Sequence, residues 1–305
     1  MRAVVTGGAG FIGSHVVAAL VERGDDVAVL DDFSHGKLDN VASRARVHEG
    51  DIRRDADAVF DEAQPGVCFH LAAQADVRVS VERPDHDADV NVLGTLRVLE
   101  AARKHGTKVV FSSTGGAIYG ECDGPADEDH PRRPLAPYGV SKLAGEEYIA
   151  AYNRLYESGH VSLRFGNVYG PRQDPHGEAG VVAIFMNLLH EGGTPKIFGD
   201  GTQTRDYVYV ADVVAATLDA AEHQGGVFNV GTGRETSVLE LYGGIQRVAG
   251  VERDPEFAPA RPGELQRSVL DISLAKRELG WEPRHSLDEG LAETWSWYVL
   301  GLEGA

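Results

Sequence analysis

The first half of the chain alternates short apolar runs with longer stretches in which apolar residues recur at helical spacing. The run from Ala3 to Val5 leads into three glycines, and apolar residues then recur from Phe11 to Leu20 every three or four positions. Further runs predict buried strands, and the stretches between them predict helices. The later strands are expected at residues 26–30, 47–49, 67–71, 108–112 and 160–165, and two long helices at residues 87–105 and 138–157. This order predicts an α/β fold in which helices flank a doubly wound parallel sheet.

The regular alternation weakens after residue 166. Pro171, Pro175, Gly177 and Gly180 indicate a region rich in loops. The patterned segments beyond them are residues 181–191, 196–198, 255–263 and 287–300. We therefore expect one domain over residues 1–166, with segments returning at about 202–235, and a smaller, interleaved C-terminal lobe made mostly of residues 167–305.

Gly7, Gly10 and Gly13 stand between the first predicted strand and the first predicted helix. A strand, a glycine turn and a helix in this order are typical of the Rossmann unit, which binds the pyrophosphate of a dinucleotide. The first glycine permits the tight turn, the second lets the backbone approach the phosphates, and the third lets helix and strand pack closely. The helix N-terminus offers free N–H groups and the positive end of its dipole to the anion. The sequence therefore predicts that the first domain binds a dinucleotide.

Two acids, Asp31 and Asp32, close the second predicted strand. Asp31 follows Gly13 by 18 residues, close to the ~20 expected for the carboxylate that binds the adenosine ribose. A carboxylate there accepts hydrogen bonds from both ribose hydroxyls and repels a 2′-phosphate, so the sequence favours NAD over NADP. The alternative interpretation is a loop aspartate that caps the following turn.

Composition and charge exclude several classes of protein. The chain has 305 residues and a formal net charge of −18, which argues against nucleic acid or an anionic membrane as a partner. No apolar run reaches the length of about 18 residues that predicts a membrane span, and the N-terminal stretch lacks the basic region and cleavage site of a secretory leader. Cys68, expected to be a buried core thiol, and Cys122 fit neither a disulfide framework nor a metal site. We therefore expect a cytoplasmic protein without a metal.

Tyr138 and Lys142 stand four residues apart in a predicted helix, so their side chains lie on the same face. The ordinary tyrosine pKa of ~10 is too high for a base at neutral pH. A nearby lysine cation and an oxidised nicotinamide ring both favour the phenolate and lower that pKa. Behind a dinucleotide-binding half, the pair predicts a tyrosine that acts as a general base. The alternative is a solvated helix face.

The order of these motifs resembles that of a known family, the extended short-chain dehydrogenases/reductases, and within it the nucleotide-sugar epimerases of the UDP-glucose 4-epimerase type. The resemblance covers nearly the whole chain, and most dehydrogenases lack the later motifs. The matching segments are residues 6–13, 70–73, 91–95, 112–114, 138–142, 164–172, 199–201, 204–207 and 261–264. The resemblance implies an enzyme with bound NAD that inverts C4 of a UDP-hexose, such as UDP-glucose or UDP-galactose, through a 4-keto intermediate.

The resemblance also assigns the residues that bind NAD. They lie in the glycine turn, at the ends of predicted strands and in the turn of small residues after the fourth strand. They are Gly7, Gly10, Phe11, Ile12, Gly13, Asp31, Asp32, Asp51, Ile52, Leu71, Ala72, Ala73, Gln74, Asn91, Ser112, Ser113, Tyr138, Lys142 and Phe165. His70, in contrast, is expected to be a strand-end residue with satisfied hydrogen bonds and not a catalyst.

A hydroxyl group at the end of the fifth strand completes the implied catalytic group. The family places a Ser or Thr there, and the match is Thr114, with Ser113 as the second candidate. Tyr138 would take the proton of the sugar 4-hydroxyl, assisted by Thr114. Lys142 would hold the nicotinamide ribose and lower the tyrosine pKa.

The residues after this hydroxyl distinguish related reactions. Related 4,6-dehydratases carry an Asp-Glu pair there to supply acid and base, and UDP-glucuronate decarboxylases carry a Glu close by. In this chain residues 115–117 are glycine, glycine and alanine, and none of these side chains transfers a proton. Elimination is therefore not expected, and oxidation followed by re-reduction is favoured.

The resemblance implies a UDP-sugar anchored mainly by the C-terminal lobe, where the planar fork of arginine suits a diphosphate. Ser268 occupies the position that controls room for a bulky 2-substituent, and its small side chain predicts that UDP-N-acetylhexosamines are accepted as well. Arg172 is a further candidate for contacting an anion. The implied substrate-binding residues are Thr114, Asn167, Val181, Val182, Lys196, Ile197, Phe198, Arg205, Arg261, Glu264 and Ser268.

Two other functions stay open at this point. A UDP-glucuronate 4-epimerase would need a group near C6 that binds a carboxylate. A sensor that binds NAD without catalysis would commonly lack the Tyr138 or Lys142 that this chain has. The family forms homodimers through two helices, which match residues 87–105 and 138–157, so a homodimer is expected.

Overall fold

The computed structural model describes residues 1–175, 180–261 and 265–302. Its strands form one large sheet and three pairs. They are β1 (Arg2–Thr6), β2 (Asp26–Asp31), β3 (Arg46–Glu49), β4 (Val67–His70), β5 (Lys108–Thr114), β6 (Val161–Phe165), β7 (Asn167–Tyr169), β8 (Lys196–Phe198), β9 (Thr204–Arg205), β10 (Tyr207–Tyr209), β11 (Val227–Val230), β12 (Thr236–Ser237) and β13 (Glu256–Ala258).

The large sheet has seven parallel strands in the order β11-β6-β5-β4-β1-β2-β3. This confirms the predicted doubly wound parallel sheet, with strand ends that differ from the expected ones by one or two residues. In register, Thr6 lies between Leu30 and His70, and Thr114 lies beside Phe165. Consecutive strand ends therefore meet at one edge of the sheet, where open α/β sheets bind their ligands.

Helices cover both faces of the sheet and build the remainder of the chain. They are α1 (Phe11–Glu22), α2 (Ile52–Ala63), α3 (Val77–Glu82), α4 (Pro84–Ala88), α5 (Gly94–His105), α6 (Gly115–Ile118), α7 (Pro137–Tyr156), α8 (Val181–His190), α9 (Val210–Glu222), α10 (Val238–Ala249) and α11 (Leu287–Leu302). Several ends follow from local sequence: Asp51 caps α2, Pro137 opens α7, and Ser237 with Glu240 forms a capping box on α10.

The strands of the sheet bury both faces because their side chains alternate between two cores. In β1, Ala3 and Val5 face a core shared with α1 and α9, whereas Val4 faces a core shared with α2 and α5. The seventh strand, β11, comes from the second half of the chain and pairs with β6. The chain thus leaves the sheet after β6 and returns through α9 and β11.

The C-terminal lobe has a core of its own, in which Phe185, Ile197, Leu241 and Leu291 are buried. Its strands are only two or three residues long and pair in twos: β7 with β10, β9 with β12, and β8 with β13. Side-chain packing of α8, α10 and α11 therefore holds this lobe together more than any extended ladder.

The helix predicted at residues 87–105 is not one regular helix. It consists of α4, a π-helical turn at Asp89–Leu93 and α5. The predicted helix is present over these residues, but hydrophobic spacing does not reveal the extra residue in its π-helical turn. The π-helical turn places Asn91 in a buried position, and such turns are frequent at functional sites.

Candidate active site

The glycine turn between β1 and α1 allows a very close approach of main chain. Gly7 has a φ of +70°, and its N–H donates to the Leu30 carbonyl oxygen at 2.9 Å. A Cβ on Gly13 would lie 2.0 Å from the Gly7 carbonyl oxygen, so only glycine lets α1 start this close to the strand. Gly10 caps the helix without a side chain, and the first-turn N–H groups have no acceptor within the helix. The turn therefore presents donors and a positive dipole end to an anion.

A cleft of about 1140 Å³ lies over this turn along the carboxyl ends of the strands. Most of the residues predicted to bind the cofactor line it. These are Gly7, Gly10, Phe11, Ile12, Gly13, Asp31, Asp32, Asp51, Ile52, Leu71, Ala72, Ala73, Gln74, Ser112, Tyr138 and Lys142. Asn91, Ser113 and Phe165 do not line the cleft: Phe165 packs in the core beside α9, and the other two are bound to buried polar partners.

Asp31 ends β2 with its carboxylate against the glycine turn. One oxygen accepts the Ala9 N–H at 2.8 Å and the other accepts the Phe33 N–H at 2.9 Å. Burial raises the pKa of the Asp31 carboxyl, and the two N–H groups act in the opposite direction. The carboxylate caps the turn at Phe33, as the alternative interpretation predicts, and it also lines the cleft, where ribose binding stays a prediction. Asp32, in contrast, is bound to the N–H and hydroxyl of Ser34.

Asp51 follows β3 and caps the next helix. Its carboxylate accepts the Arg53 N–H at 2.9 Å and also binds the Arg53 guanidinium. These hydrogen bonds with Arg53 lower the pKa of the Asp51 carboxyl. The Arg53 guanidinium also forms an ion pair with Asp89 at the start of the π-helical turn. It therefore joins α2 to that turn, and both elements border the cleft.

His70 is buried at the end of β4, with one hydroxyl on each side of its ring. Nδ1 lies 2.7 Å from the Thr6 Oγ1, and Nε2 lies 3.0 Å from the Thr95 Oγ1. Burial lowers the pKa of His70 to about 3, so the ring is neutral at physiological pH. These contacts confirm the prediction of a satisfied strand-end residue.

Asn91 ties the turn of small residues after β4 to α7. Its Oδ1 accepts the Gln74 N–H at 2.8 Å, and its Nδ2 donates to the Gln74 carbonyl, to Asp87 and to Ser141 at 2.9 to 3.2 Å. Asp87 is buried, and its second oxygen has no hydrogen-bond partner in the described part of the chain. A buried carboxylate therefore lies behind the cleft, next to the helix that carries Tyr138 and Lys142.

Tyr138 and Lys142 both line the cleft from α7, as their spacing predicts. The Lys142 Nζ donates to the Ser112 carbonyl oxygen at 2.9 Å and lies 6.0 Å from the centre of the Tyr138 ring. Burial lowers the pKa of Lys142 to about 8, while the charges of Asp87 and Glu146 raise it. A cation is therefore held beside the phenol by its helix and by the end of β5.

The two candidate hydroxyls at the end of β5 point to different partners. Ser113 donates to Glu146 at 2.5 Å, and Glu146 forms a buried ion pair with Arg164 at 2.7 Å. Thr114 ends the strand next to α6. A Cβ on Gly116 would lie 3.9 Å from the Thr114 Oγ1 and 3.4 Å from the Asn167 Oδ1. Thr114 and Asn167 therefore flank Gly116, a position without a side chain.

The predicted substrate residues of the lobe fall into three groups. Val182 and Ile197 are buried in the lobe core, which leaves only their main-chain atoms for a ligand. Val181 opens α8, and Lys196 is exposed beside Glu256 at 3.6 Å. The third group contains the polar and aromatic residues described next.

Arg261 stacks on Phe198, with its guanidinium carbon 3.9 Å from the centre of the ring. Arg205 donates to the Thr204 carbonyl oxygen at 2.8 Å. Ser268 is buried, and its N–H donates to the same Thr204 carbonyl oxygen at 3.2 Å. This hydrogen bond holds Ser268 beside β9. Arg205 and Ser268 are thus neighbours. Glu264, another of the predicted substrate-binding residues, lies outside the described residues.

Apart from Arg172, sequence reasoning missed one wall of the cleft. From the C-terminal half, residues 172–175 and the ends of α8 and α11 line it, among them His190, Trp297 and Tyr298. The one signal was an aromatic-rich chain end, with three aromatic residues between positions 295 and 298. The buried pair of Glu146 and Arg164 was also missed, because nothing local marks an ion pair that joins a helix to a distant strand.

Two general features complete the site's surroundings. In residues 1–175, 180–261 and 265–302, no helix has the length and apolar character to cross a bilayer, and no group of three metal-ligating side chains occurs. Cys68 and Cys122 are both buried free thiols, as predicted for Cys68. Burial raises the pKa of both.

Comparison with known proteins places the chain in a family. A sequence model of the NAD dependent epimerase/dehydratase family matches residues 3–231. The UDP-glucose 4-epimerase of Mycolicibacterium smegmatis is 49% identical over 304 residues, which cover 96% of this chain and 97% of that protein.

Two solved structures extend the likeness to the backbone. The UDP-glucose 4-epimerase of Thermotoga maritima, solved with UDP-glucose, superposes with a TM-score of 0.96 at 46% identity and covers 99% of this chain and 100% of that one. The UDP-glucose 4-epimerase of Thermus thermophilus, in complex with NAD, superposes with a TM-score of 0.92 at 46% identity and covers 98% of this chain and 99% of that one. With such relatives along nearly its whole length, the chain belongs to the NAD-dependent epimerase/dehydratase family, as an extended short-chain dehydrogenase/reductase of the UDP-glucose 4-epimerase type.

Proposed function

We propose that this protein is a UDP-glucose 4-epimerase that interconverts UDP-glucose and UDP-galactose with bound NAD. Relatives with that name match it at 46 to 49% identity over nearly the full chain. The observation that carries the proposal is the identity of residues 115–117, which directly follow Thr114. A hydroxyl, a tyrosine and a lysine are present, but the segment that would hold an acid–base pair for elimination has only glycine and alanine.

The cleft fits NAD. The backbone at Gly13 leaves no room for a Cβ, so α1 packs closely against the glycine turn, as it does in a dinucleotide site. The Asp31 carboxylate at the end of β2 suits the ribose hydroxyls and opposes a 2′-phosphate. Gln74 and Ser112 would border the nicotinamide end, near Lys142. Bound NAD supplies the hydride acceptor and donor for sugar C4.

Tyr138 is the proposed base for the sugar 4-hydroxyl. The Lys142 ammonium stabilises its phenolate, and the hydrogen bond from Lys142 to the Ser112 carbonyl keeps the ammonium in place. Thr114 is favoured over Ser113 as the assisting hydroxyl, because the Ser113 proton is donated to the buried Glu146. These residues hold or move a proton at the 4-oxygen. Residues 115–117 add no acidic or basic side chain that could remove water from the sugar.

Local cations would anchor the UDP end against the net charge of −18. Arg205 and Arg261 are the proposed contacts, since a guanidinium binds a diphosphate through two parallel hydrogen bonds. The Arg261 and Phe198 stack offers a flat surface near the end of β8. Asn167 faces the same space as Thr114 across Gly116, which supports a role between the diphosphate and the sugar.

The substrate range is proposed to include UDP-N-acetylhexosamines. Ser268 is held by its main chain to Thr204, beside Arg205. A side chain this small leaves room for a group larger than a hydroxyl on C2. Within residues 1–175, 180–261 and 265–302, no comparable feature points to a carboxylate at C6, so UDP-glucuronate is kept as an outcome of the test.

A homodimer through α5 and α7 is also proposed. The surface of α7 exposes two apolar side chains, Val140 at 53% and Leu155 at 70%, and Leu93 in the π-helical turn that contacts α7 is 52% exposed. Exposed apolar side chains of this kind suit contact with a second copy of the same helices. Sedimentation velocity should give the mass of two chains and a lower mass for Leu155→Glu; a wild-type mass of one chain would contradict the proposal.

The buried free thiols support a reducing compartment, so we propose that the protein works in the cytoplasm.

Proton NMR in D₂O tests the proposed reaction. Purified protein and UDP-galactose should yield UDP-glucose, seen in the anomeric signals, with the proton on C4 retained because it moves as hydride. Uptake of deuterium on the sugar ring would indicate deprotonation at carbon and contradict the mechanism. No conversion with added NAD would contradict the substrate, and parallel samples with UDP-glucuronate and UDP-N-acetylglucosamine then identify the better one.

A further inference from the structure

The segment after β7 crosses from the C-terminal lobe to the start of α1. The Pro171 carbonyl oxygen lies 2.9 Å from the His15 Nε2. A carbonyl only accepts, so Nε2 carries the proton and the ring donates. Burial lowers the pKa of His15, so this bond is made by a neutral ring at physiological pH. The lobe is thereby fastened to the first helix of the proposed cofactor site.

Arg172 follows directly and extends over the first turns of α1. Its Nη1 lies 3.3 Å from the Ser14 Oγ and 3.5 Å from the Asn40 carbonyl oxygen. Both acceptors are uncharged. Burial alone lowers the pKa of the guanidinium, without a contribution from any acidic group. Across residues 1–175, 180–261 and 265–302, Arg172 has no ion pair, although it is buried enough to lose part of its hydration.

The backbone of Arg172 is unusual as well. Its φ is +68°, in the left-handed region that residues with a Cβ avoid. Backbone strain of this kind is found preferentially at ligand clamps and active sites. A strained residue that carries an unpaired and half-buried cation into a cleft indicates an anionic ligand.

The anion best placed to meet this cation is the cofactor's diphosphate. Ser14 lies in the first turn of α1, and its hydroxyl donates to the Phe11 carbonyl oxygen at 3.0 Å. The first-turn N–H groups that would receive the phosphates are therefore within one helical turn of the Arg172 head. Arg172 also lines the same cleft as Gly10 and Gly13.

We propose that Arg172 pairs with the diphosphate of NAD, so that the C-terminal lobe supplies one of the cofactor's anion contacts. The inference rests on the proposed position of NAD in the cleft. It assigns a role in holding the cofactor to a residue outside the sheet and the glycine turn. It also couples the two halves, because the segment that carries Arg172 is fastened to α1 through His15.

Arg172→Gly is the decisive variant, because glycine adopts a φ of +68° without strain. Its melting temperature without cofactor should equal or exceed that of the wild type. Arg253→Gly is the matched control: Arg253 is also half-buried and donates to a main-chain carbonyl, at Gly193, but it does not line the cleft.

Titration calorimetry of cofactor-free protein with NAD, ADP and adenosine gives the readout. Loss of one charge-assisted contact should weaken NAD and ADP roughly 10- to 100-fold in Arg172→Gly, reduce the salt dependence of binding, and leave adenosine unchanged. Arg253→Gly should bind all three like the wild type. Equal affinities for ADP in Arg172→Gly and wild type, or an equal loss for adenosine, would overturn the inference. A wild-type protein that binds no NAD would instead overturn the proposed cofactor site.

Discussion

The sheet side and the lobe side of the cleft are built by different means. On the sheet side, Thr6, Asp31, His70 and Ser112 stand at the ends of neighbouring parallel strands, so one register brings them together. On the lobe side, strands have two or three residues, and the site depends on single long-range contacts. Regular structure therefore positions the proposed cofactor and proton-transfer groups, whereas individual hydrogen bonds position the proposed substrate groups.

Asp206 illustrates the second kind of construction. It is buried next to Arg205 and accepts hydrogen bonds from the Thr232 N–H and hydroxyl, the Gly233 N–H and the Leu270 N–H. One carboxylate thus gathers three segments that are far apart in sequence. From this difference we expect changes on the sheet side to affect chemistry and folding, and changes on the lobe side to affect the choice of substrate.

The largest effect is expected for Tyr138→Phe. Removal of the phenolic oxygen should lower kcat by about 10³-fold or more, within the usual range for a general acid–base group and its partners, while NAD affinity stays unchanged. The control is Tyr148→Phe on the exposed side of the same helix, which should keep full activity. Unchanged turnover in Tyr138→Phe would contradict the mechanism, and a wild type that binds NAD but converts no nucleotide sugar would favour the sensor interpretation.

The next effect concerns the buried ion pair behind β5. Arg164→Gln leaves the Glu146 carboxylate without its partner in a site where both side chains are at most 2% exposed. Such a change costs about 3–5 kcal/mol of the free energy of unfolding, which urea denaturation measures. Arg267→Gln, which breaks a partly exposed pair with Glu235 on the lobe side, should cost a small fraction of that. Equal losses of unfolding free energy in the two variants would show that the ion pairs of the two regions contribute alike to stability.

A smaller and more selective effect is expected for Ser268→Tyr. The bulky ring should lower kcat/KM for UDP-N-acetylglucosamine relative to UDP-glucose roughly tenfold or more, because pocket shape discriminates on that scale. NAD affinity should not change, since Ser268 is not part of the cleft wall. Epimerisation of both substrates by the variant, compared as a ratio, checks this. An unchanged ratio of the two kcat/KM values would show that Ser268 does not determine which substituent on C2 is accepted.

The smallest effect is a shift in pH dependence. The Lys142 cation is required, and burial holds its pKa at about 8, so turnover should fall as the pH rises through that region. Asp87 raises this pKa, so Asp87→Asn should move the alkaline limb to lower pH by about 1 unit. The limb reports the coupled Tyr138 and Lys142 pair. Asp85→Asn, in the same short helix but exposed, should leave the profile in place.

The difference between the sheet side and the lobe side also explains which features could be predicted from the sequence. The glycine turn, Asp31 and the spacing of Tyr138 and Lys142 are local patterns, and the residues that they single out line the cleft, while their roles stay predictions. The lobe side was identified only through resemblance, and Val182 and Ile197 lie in its core. Short strands have no periodicity that reveals which face is buried. Arg172 acquires its position from a turn with an unusual φ, which a sequence of polar and apolar residues does not encode.

The two buried thiols make the protein suitable for site-specific labelling. Cys68 is inaccessible within β4, and Cys122 is 5% exposed. Since a raised pKa keeps a thiol protonated, and the thiolate is the reactive form, maleimide reagents should react slowly with both in the folded protein. A cysteine introduced on the surface of α3 and another on α8 would then carry a donor and an acceptor dye with little background. Changes in the separation of the two halves of the molecule during turnover could be followed by energy transfer without first removing the native cysteines.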